Sequence, residues 1–310
     1  MRKMMGCFII AILVILSSSA PAQGYGCECG EKIRLLYLST PPMEGNDVKM
    51  LQEQLSELGF YKGRQDGVFG PETHDAVMEL QGKTNVGQTG EVDLETWEAL
   101  TVRAASRGES KEAPPGKISI LIDINQRTLT IMSDGEPYQT YPCAVGKSKT
   151  PTPVGEWVIN HKGGNWGNGF GTRWMGIDVP WGIFGIHGTN KPYTIGTFAS
   201  AGCIRMFNVH VERIYEWVQK GTPVTIVGEP LMPPTKRYRK NMGHEAVGPD
   251  VVQVQLHLKE KGFLLGRADG VYGSKTQLSV KFFQAKNNID DTGIVDELTY
   301  DMLGLDLTKK

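Results

Sequence analysis

IHGTNKPYTIGTFASAGCIRM, residues 186–206, places a histidine upstream of a cysteine preceded by glycine, with an arginine two residues beyond the cysteine. A cysteine nucleophile needs this set of residues. The thiolate is the reactive form, and a nearby imidazole takes the thiol proton and holds it as an ion pair. His187 and Cys203 are therefore read as base and nucleophile. Gly202 lets a carbonyl approach the sulfur and leaves backbone N–H groups free to face it. If the segment is extended, Cys203 and Arg205 project to the same side, because strand side chains alternate. The cation then favours thiolate and offers a contact for a substrate carboxylate.

Outward from this stretch the pattern is β-rich. Ile118, Ile120, Ile122 and Ile124 alternate with other residues, which predicts a strand with one face in the core. RTLTIMS (127–133), an Asp134-Gly135 turn and PYQTYPCAV follow as a hairpin, and VTIV near residue 227 closes the set. One amphipathic helix is expected from about Val209 to Lys220, with Asn208 as N-cap and Gly221 as stop. Val211, Ile214, Tyr215 and Val218 form its apolar stripe. A run rich in Gly and Trp around 163–174 reads as a loop able to cover a cleft.

The motif resembles the catalytic signature of the L,D-transpeptidases, which cross-link or trim bacterial peptidoglycan. The family pattern is HG(T), a short insert, then S-x-G-C-[IV]-R. His187, Gly188, Thr189, Ser200, Gly202, Cys203, Ile204 and Arg205 match it in register. The likeness extends to TPTPVGEW (150–157), FGTRWMG (170–176) and GTPVTIV (221–227), covering residues 117–228. Ala201 departs from the histidine or polar residue common there, which implies altered tuning.

The resemblance implies an α+β multidomain chain. Its catalytic domain would be β-sandwich-like, with one main helix and the cysteine on a late strand. It also implies roles. Cys203 is the nucleophile, His187 the proton donor and acceptor, and Gly188 supplies a carbonyl that orients His187. Arg205, Ser200 and Gly202 serve the substrate and oxyanion, and no cofactor or metal is needed.

Shifting the chain by 203 residues aligns 45–100 with 248–303 without a gap. GNDVKMLQEQLSELGFYKGRQDGVFGPET becomes GPDVVQVQLHLKEKGFLLGRADGVYGSKT, and TGEVDLETWEAL becomes TGIVDELTYDML. Each copy reads as three short helices. In the first, Val48, Leu51, Leu55 and Leu58 share a face, Gly59 stops the helix and Asp66-Gly67 makes a turn. Pro71 opens a second helix carrying Ala76, Val77 and Leu80, and Asp93 caps a third with Trp97 and Leu100. The copies resemble the peptidoglycan-binding modules that accompany wall-active enzymes. Most matching positions are explained by folding alone. Arg64 and Arg267 are candidates to face a ligand, against the more ordinary reading of solvated surface arginines.

Residues 1–22 have a signal-peptide layout: Arg2 and Lys3, an apolar run over 7–16, then Ala20-Pro21-Ala22 as cleavage site. The apolar run is about half of the ~20 residues a spanning helix needs, so no stable membrane span is expected after cleavage, and the alternative is an uncleaved segment retained as an anchor. The remaining divisions are helical modules at 44–104 and 244–304, a catalytic domain at 117–228, and linkers at 105–116 and 229–243. The whole stretch 101–116 is polar and contains prolines, which predicts extended chain. After cleavage four cysteines remain: Cys27, Cys29, Cys143 and Cys203. An even count in an exported chain suggests disulfides. A bridge from Cys27 or Cys29 to Cys143 stays open, as does a buried free thiol at Cys143.

A formal charge of −1, or −3 without residues 1–22, argues against nucleic acid as partner. Peptidoglycan stem peptides and wall polymer are the expected partners. Among the six histidines no HExxH or His-x-His spacing supports a metallopeptidase. Sortase-type enzymes separate His and Cys by far more than the 16 residues found here. The expected activity is acyl transfer from a tetrapeptide stem through a Cys thioester, releasing D-alanine. The alternatives are an L,D-carboxypeptidase using water and a non-catalytic wall-binding protein.

Overall fold

The computed structural model describes residues 34–105, 112–164, 170–229 and 238–305. The signal-peptide reading of 1–22, the cysteines Cys7, Cys27 and Cys29, and Trp166 lie outside the described residues. Among the described residues, seven α-helices accompany a strongly curled eight-stranded sheet. None of the described helices is long and apolar enough to cross a membrane.

The first helical module contains α1 (Asn46–Glu57), α2 (Pro71–Thr84) and α3 (Leu94–Ala105). The expected apolar positions meet in one core, with Val48, Leu51, Leu55, Val77, Leu80, Trp97 and Leu100 fully buried. Gly59 follows α1 at φ +82°, and the Asp93 carboxylate accepts the Thr96 N–H at 2.8 Å, so stop and cap are as read. Thr101 to Ala105 belong to α3, however, so these residues are helical and not extended as expected.

Two buried glutamines stitch the module. Gln52 accepts the Gly67 N–H and donates to the Val68 carbonyl, and Gln81 accepts from Gly90 and donates to the Glu91 carbonyl. Each satisfies backbone groups that burial would otherwise leave unpaired.

In the central domain β1 (Ile118–Asp123), β2 (Thr128–Ser133) and β3 (Glu136–Pro142) form an antiparallel meander. Asp134 and Gly135 both have positive φ, as a two-residue hairpin turn demands. A short β4 (Val145–Gly146) precedes β5 (Gly155–Gly163), β6 (Trp174–Ile177) and β7 (Phe184–His187). A 3-10 turn at Pro192–Thr194 leads to β8 (Phe198–Ser200) and β9 (Ile204–Arg205). Helix α4 (Asn208–Trp217) and β10 (Pro223–Val227) complete the domain.

The sheet order is β3-β2-β1-β10-β5-β6-β7-β9, and β4 pairs with β8 separately. The sandwich-like packing comes from this one curled sheet closing over α4, which buries Val211 and Ile214. Asn208 does not cap α4. It is the first helical residue, and its side chain is used elsewhere.

The second module repeats the first with α5 (Pro249–Glu260), α6 (Ser274–Lys286) and α7 (Glu297–Leu303). Gln255 and Gln284 repeat the glutamine stitching. Arg267, the candidate ligand contact, is engaged within the chain. Its guanidinium meets Asp178 at 3.2 Å, while the Glu156 N–H donates to the Ala268 carbonyl, the Ala268 N–H donates to the Glu156 carboxylate and Lys259 pairs with Glu156. Val252 and Ala268 pack into the core of the central domain.

Candidate active site

β7 and β9 are parallel neighbours, with Ile186 opposite Ile204 and His187 opposite Arg205. On the other side β6 sets Trp174 opposite His187. The sheet register therefore lines up imidazole, indole and guanidinium at one strand end. Cys203 sits one residue before β9, at the end of a tight turn and not on the strand as expected.

That turn is held by side-chain oxygens. Ser200 Oγ donates to the Cys203 carbonyl at 2.5 Å and accepts the Gly202 N–H at 3.0 Å. Thr152 Oγ1 donates to the Gly202 carbonyl at 3.0 Å and accepts the Gly146 N–H at 2.8 Å. Gly202 has φ +115°, and a Cβ there would lie 2.7 Å from the Phe184 ring. Only glycine fits both conditions. The Gly202 N–H is thus occupied, which removes it from the donors expected to face an oxyanion. Ser200 shapes the turn from inside it.

His187 is fully buried. Its Nδ1 donates to the Gly188 carbonyl at 2.5 Å, which leaves Nε2 as the basic nitrogen, and Nε2 makes no hydrogen bond among the described residues. Trp174 stacks on the ring at 5.4 Å and 24°, and Phe170 meets it edge-on at 5.1 Å. Burial pulls the imidazole down to about 3, the Arg205 charge pulls the same way, and the Gly188 and Phe170 carbonyls oppose both.

Burial likewise pushes the Cys203 thiol up to about 11, against the Gly185 backbone and the Arg205 charge. The resting pair is therefore neutral thiol and neutral imidazole. The ion pair expected from sequence is disfavoured because neither charge is hydrated at this depth.

Residues 117–226 match the family described as "L,D-transpeptidase catalytic domain", and residues 44–100 and 247–303 match "Putative peptidoglycan binding domain". "Putative L,D-transpeptidase YqjB" of Bacillus subtilis is 32% identical over 130 residues, covering 37% of this chain and 74% of that protein. This chain belongs to the L,D-transpeptidase family. "Putative L,D-transpeptidase YkuD" of the same organism is 43% identical over 107 residues, 34% of this chain. The match spans 64% of that relative's length. A crystal structure of an L,D-transpeptidase from Xylanimonas cellulosilytica is 20% identical, covering 64% of this chain and 98% of that one at a TM-score of 0.32.

Within the matched domain, the register brings His187, Gly188, Ser200, Gly202, Cys203 and Arg205 to one place. Thr152 and Asn208 were not singled out for the site, nor were Phe170 and Trp174 as a wall around His187. Thr152 lies within TPTPVGEW, and Phe170 and Trp174 within FGTRWMG, so the resemblance marked their segments without their roles. Asn208 Oδ1 accepts the Thr189 N–H at 3.1 Å and lies against Gly188 and Gly171, leaving no room for a side chain at either. Cys143 is a second free thiol, fully buried and pushed up to about 12 by its burial. It has no part in this constellation.

Proposed function

We propose that this chain is a cysteine L,D-transpeptidase that cross-links peptidoglycan stem peptides by two-step acyl transfer. The observation that carries the reading is the locked imidazole: Nδ1 is held by Gly188, which leaves Nε2 to take a proton, and the β7–β9 pairing sets His187 opposite Arg205, two residues past Cys203. As substrate enters, Nε2 takes the Cys203 proton and the sulfur attacks the carbonyl between the L-centre of a diamino acid and a terminal D-alanine. The Cys203 N–H, now without help from Gly202, stabilises the oxyanion. His187 returns the proton to the leaving amine, D-alanine departs and a thioester remains. An amine from a neighbouring stem then gives its proton to His187, attacks the thioester and regenerates the thiol.

The positive charge of Arg205 lowers both pKa values. It therefore favours thiolate during attack and makes the protonated His187 a strong acid toward the leaving amine. Bond energy is carried through the thioester, so no ATP is needed. The same reading places the protein outside the cytoplasm, with residues 1–22 cleaved near Ala22. It divides the rest into wall-binding modules at 44–104 and 244–304 around a catalytic domain at 117–228.

Mass spectrometry of products from the mature protein with disaccharide-tetrapeptide, beside Cys203→Ala, tests the proposal. Dimers lighter by one D-alanine, absent from the variant, are expected. Tripeptide monomers alone would make it a carboxypeptidase. Unchanged substrate with both proteins would leave a wall-binding protein.

A further inference from the structure

The first helical module meets the central domain beside the catalytic histidine. Trp97, from the module core, packs its ring 5.9 Å from Tyr193, which lies on the insert between His187 and Cys203. One residue along α3, Glu98 Oε1 accepts a hydrogen bond from Asn208 Nδ2 at 3.0 Å. A cleft of about 200 Å³ lined by Glu98, Thr172, Thr189, Pro192, Phe207 and Asn208 runs along this joint.

The Glu98 contact fixes an orientation. An asparagine amide presents either oxygen or NH₂ to a partner, and a carboxylate accepts only from NH₂. Glu98 therefore turns Nδ2 toward α3 and Oδ1 toward the Thr189 N–H, which it meets at 3.1 Å. Thr189 follows Gly188, whose carbonyl holds the His187 Nδ1 proton at 2.5 Å. The matching position in the second repeat is Asp301, which is solvent-exposed, so the repeat folds without this use of its acid.

We propose that Glu98 is a positioning residue for His187, acting through Asn208 and the 188–189 peptide, so that the first helical module is part of the catalytic unit and not only its anchor. This rests on the reading of His187 as the base.

The test uses the full mature chain. Glu98→Ala should lower kcat about tenfold with KM within about twofold, since a misaligned base costs the chemical step and not binding. Glu98→Gln keeps an oxygen acceptor and should restore most of kcat. Nitrogen NMR of labelled histidine gives a readout that needs no turnover. The wild type should show one Nδ1–H tautomer at His187, Glu98→Ala a mixture, and Glu98→Gln the wild-type signature.

A lower melting temperature in Glu98→Ala, with kcat and tautomer unchanged, would make the contact structural and overturn the proposal. If the wild type shows no turnover, the functional reading fails and the tautomer comparison alone decides this one.

Discussion

Trp174 lies stacked on His187, ring centroids 5.4 Å apart, and the two residues are direct partners across β6 and β7. The indole face excludes water from one side of the imidazole, and the Phe170 edge covers another. This dry wall keeps His187 neutral. Trp174→Leu should lower kcat by roughly tenfold through lost orientation of the base. Trp174→Phe, which keeps an aromatic face, should retain more activity. Steady-state kinetics beside melting curves check this. Equal kcat loss in both variants would mean that bulk matters and the ring face does not.

The burial that raises Cys203 to about 11 makes the resting enzyme a poor thiolate donor. Iodoacetamide should label Cys203 more slowly than free cysteine at pH 7, with a rate still climbing beyond pH 9. Cys143, pushed up to about 12, should lag further. Arg205→Gln removes a charge that lowers the thiol, so its Cys203 should label more slowly again at each pH. Mass spectrometry of labelled peptides reads all three. A fast reaction at pH 7 would contradict a neutral resting thiol.

The same shifts set the pH dependence of stability. His187 is pulled from 6.5 to about 3 on folding, so the unfolded chain binds more protons between those values. The contribution from a neutral His187 is complete above pH 6.5 and is lost as pH falls toward 3. Cys203 is raised from 9.0 to about 11, so its contribution is complete below pH 9 and is lost as pH rises toward 11. The melting temperature of His187→Gln should therefore fall less steeply from pH 6.5 to 3 than that of the wild type. Cys203→Ala should flatten the alkaline limb. Parallel slopes would show that other groups govern both limbs.

Periodicity and repeat made much of the fold legible. The alternating isoleucines of β1, the α1 stripe from Val48 to Leu58 and the Asp93 cap follow from local rules that the structure obeys. What the sequence hid is tertiary. Asn208 has the right residue type for a cap, yet Glu98, more than a hundred positions away, and Thr189 compete for its amide and win. Arg267 matches Arg64 in the repeat, but only Arg267 finds an aspartate across a domain boundary. Gln52 and Gln255 match in the alignment, and nothing local marks them as buried staples. Burial at Cys203 and His187 works against the anticipated ion pair for a related reason, since spacing carries no information on how dry a site is.

The second module's attachment yields a prediction about which contact matters. Burial alone would raise the Glu156 carboxyl, but Lys259, the Ala268 N–H and the charge of Arg267 hold it below the ordinary carboxylate range. The pair of Arg267 with Asp178 is more open, with the guanidinium 44% exposed, so it contributes about 1 kcal/mol or less. Arg267→Ala should leave the module seated, and its small effect should vanish in high salt. Glu156→Ala strands the N–H of buried Ala268, which is the costlier loss, while the exposed Lys259 returns to water. Limited proteolysis of the full chain should cut Glu156→Ala faster than Arg267→Ala between the central domain and α5. If the two variants resist equally, the seat is held by apolar packing of Val252, Ala268 and Trp181, and the polar pairs only fix its register.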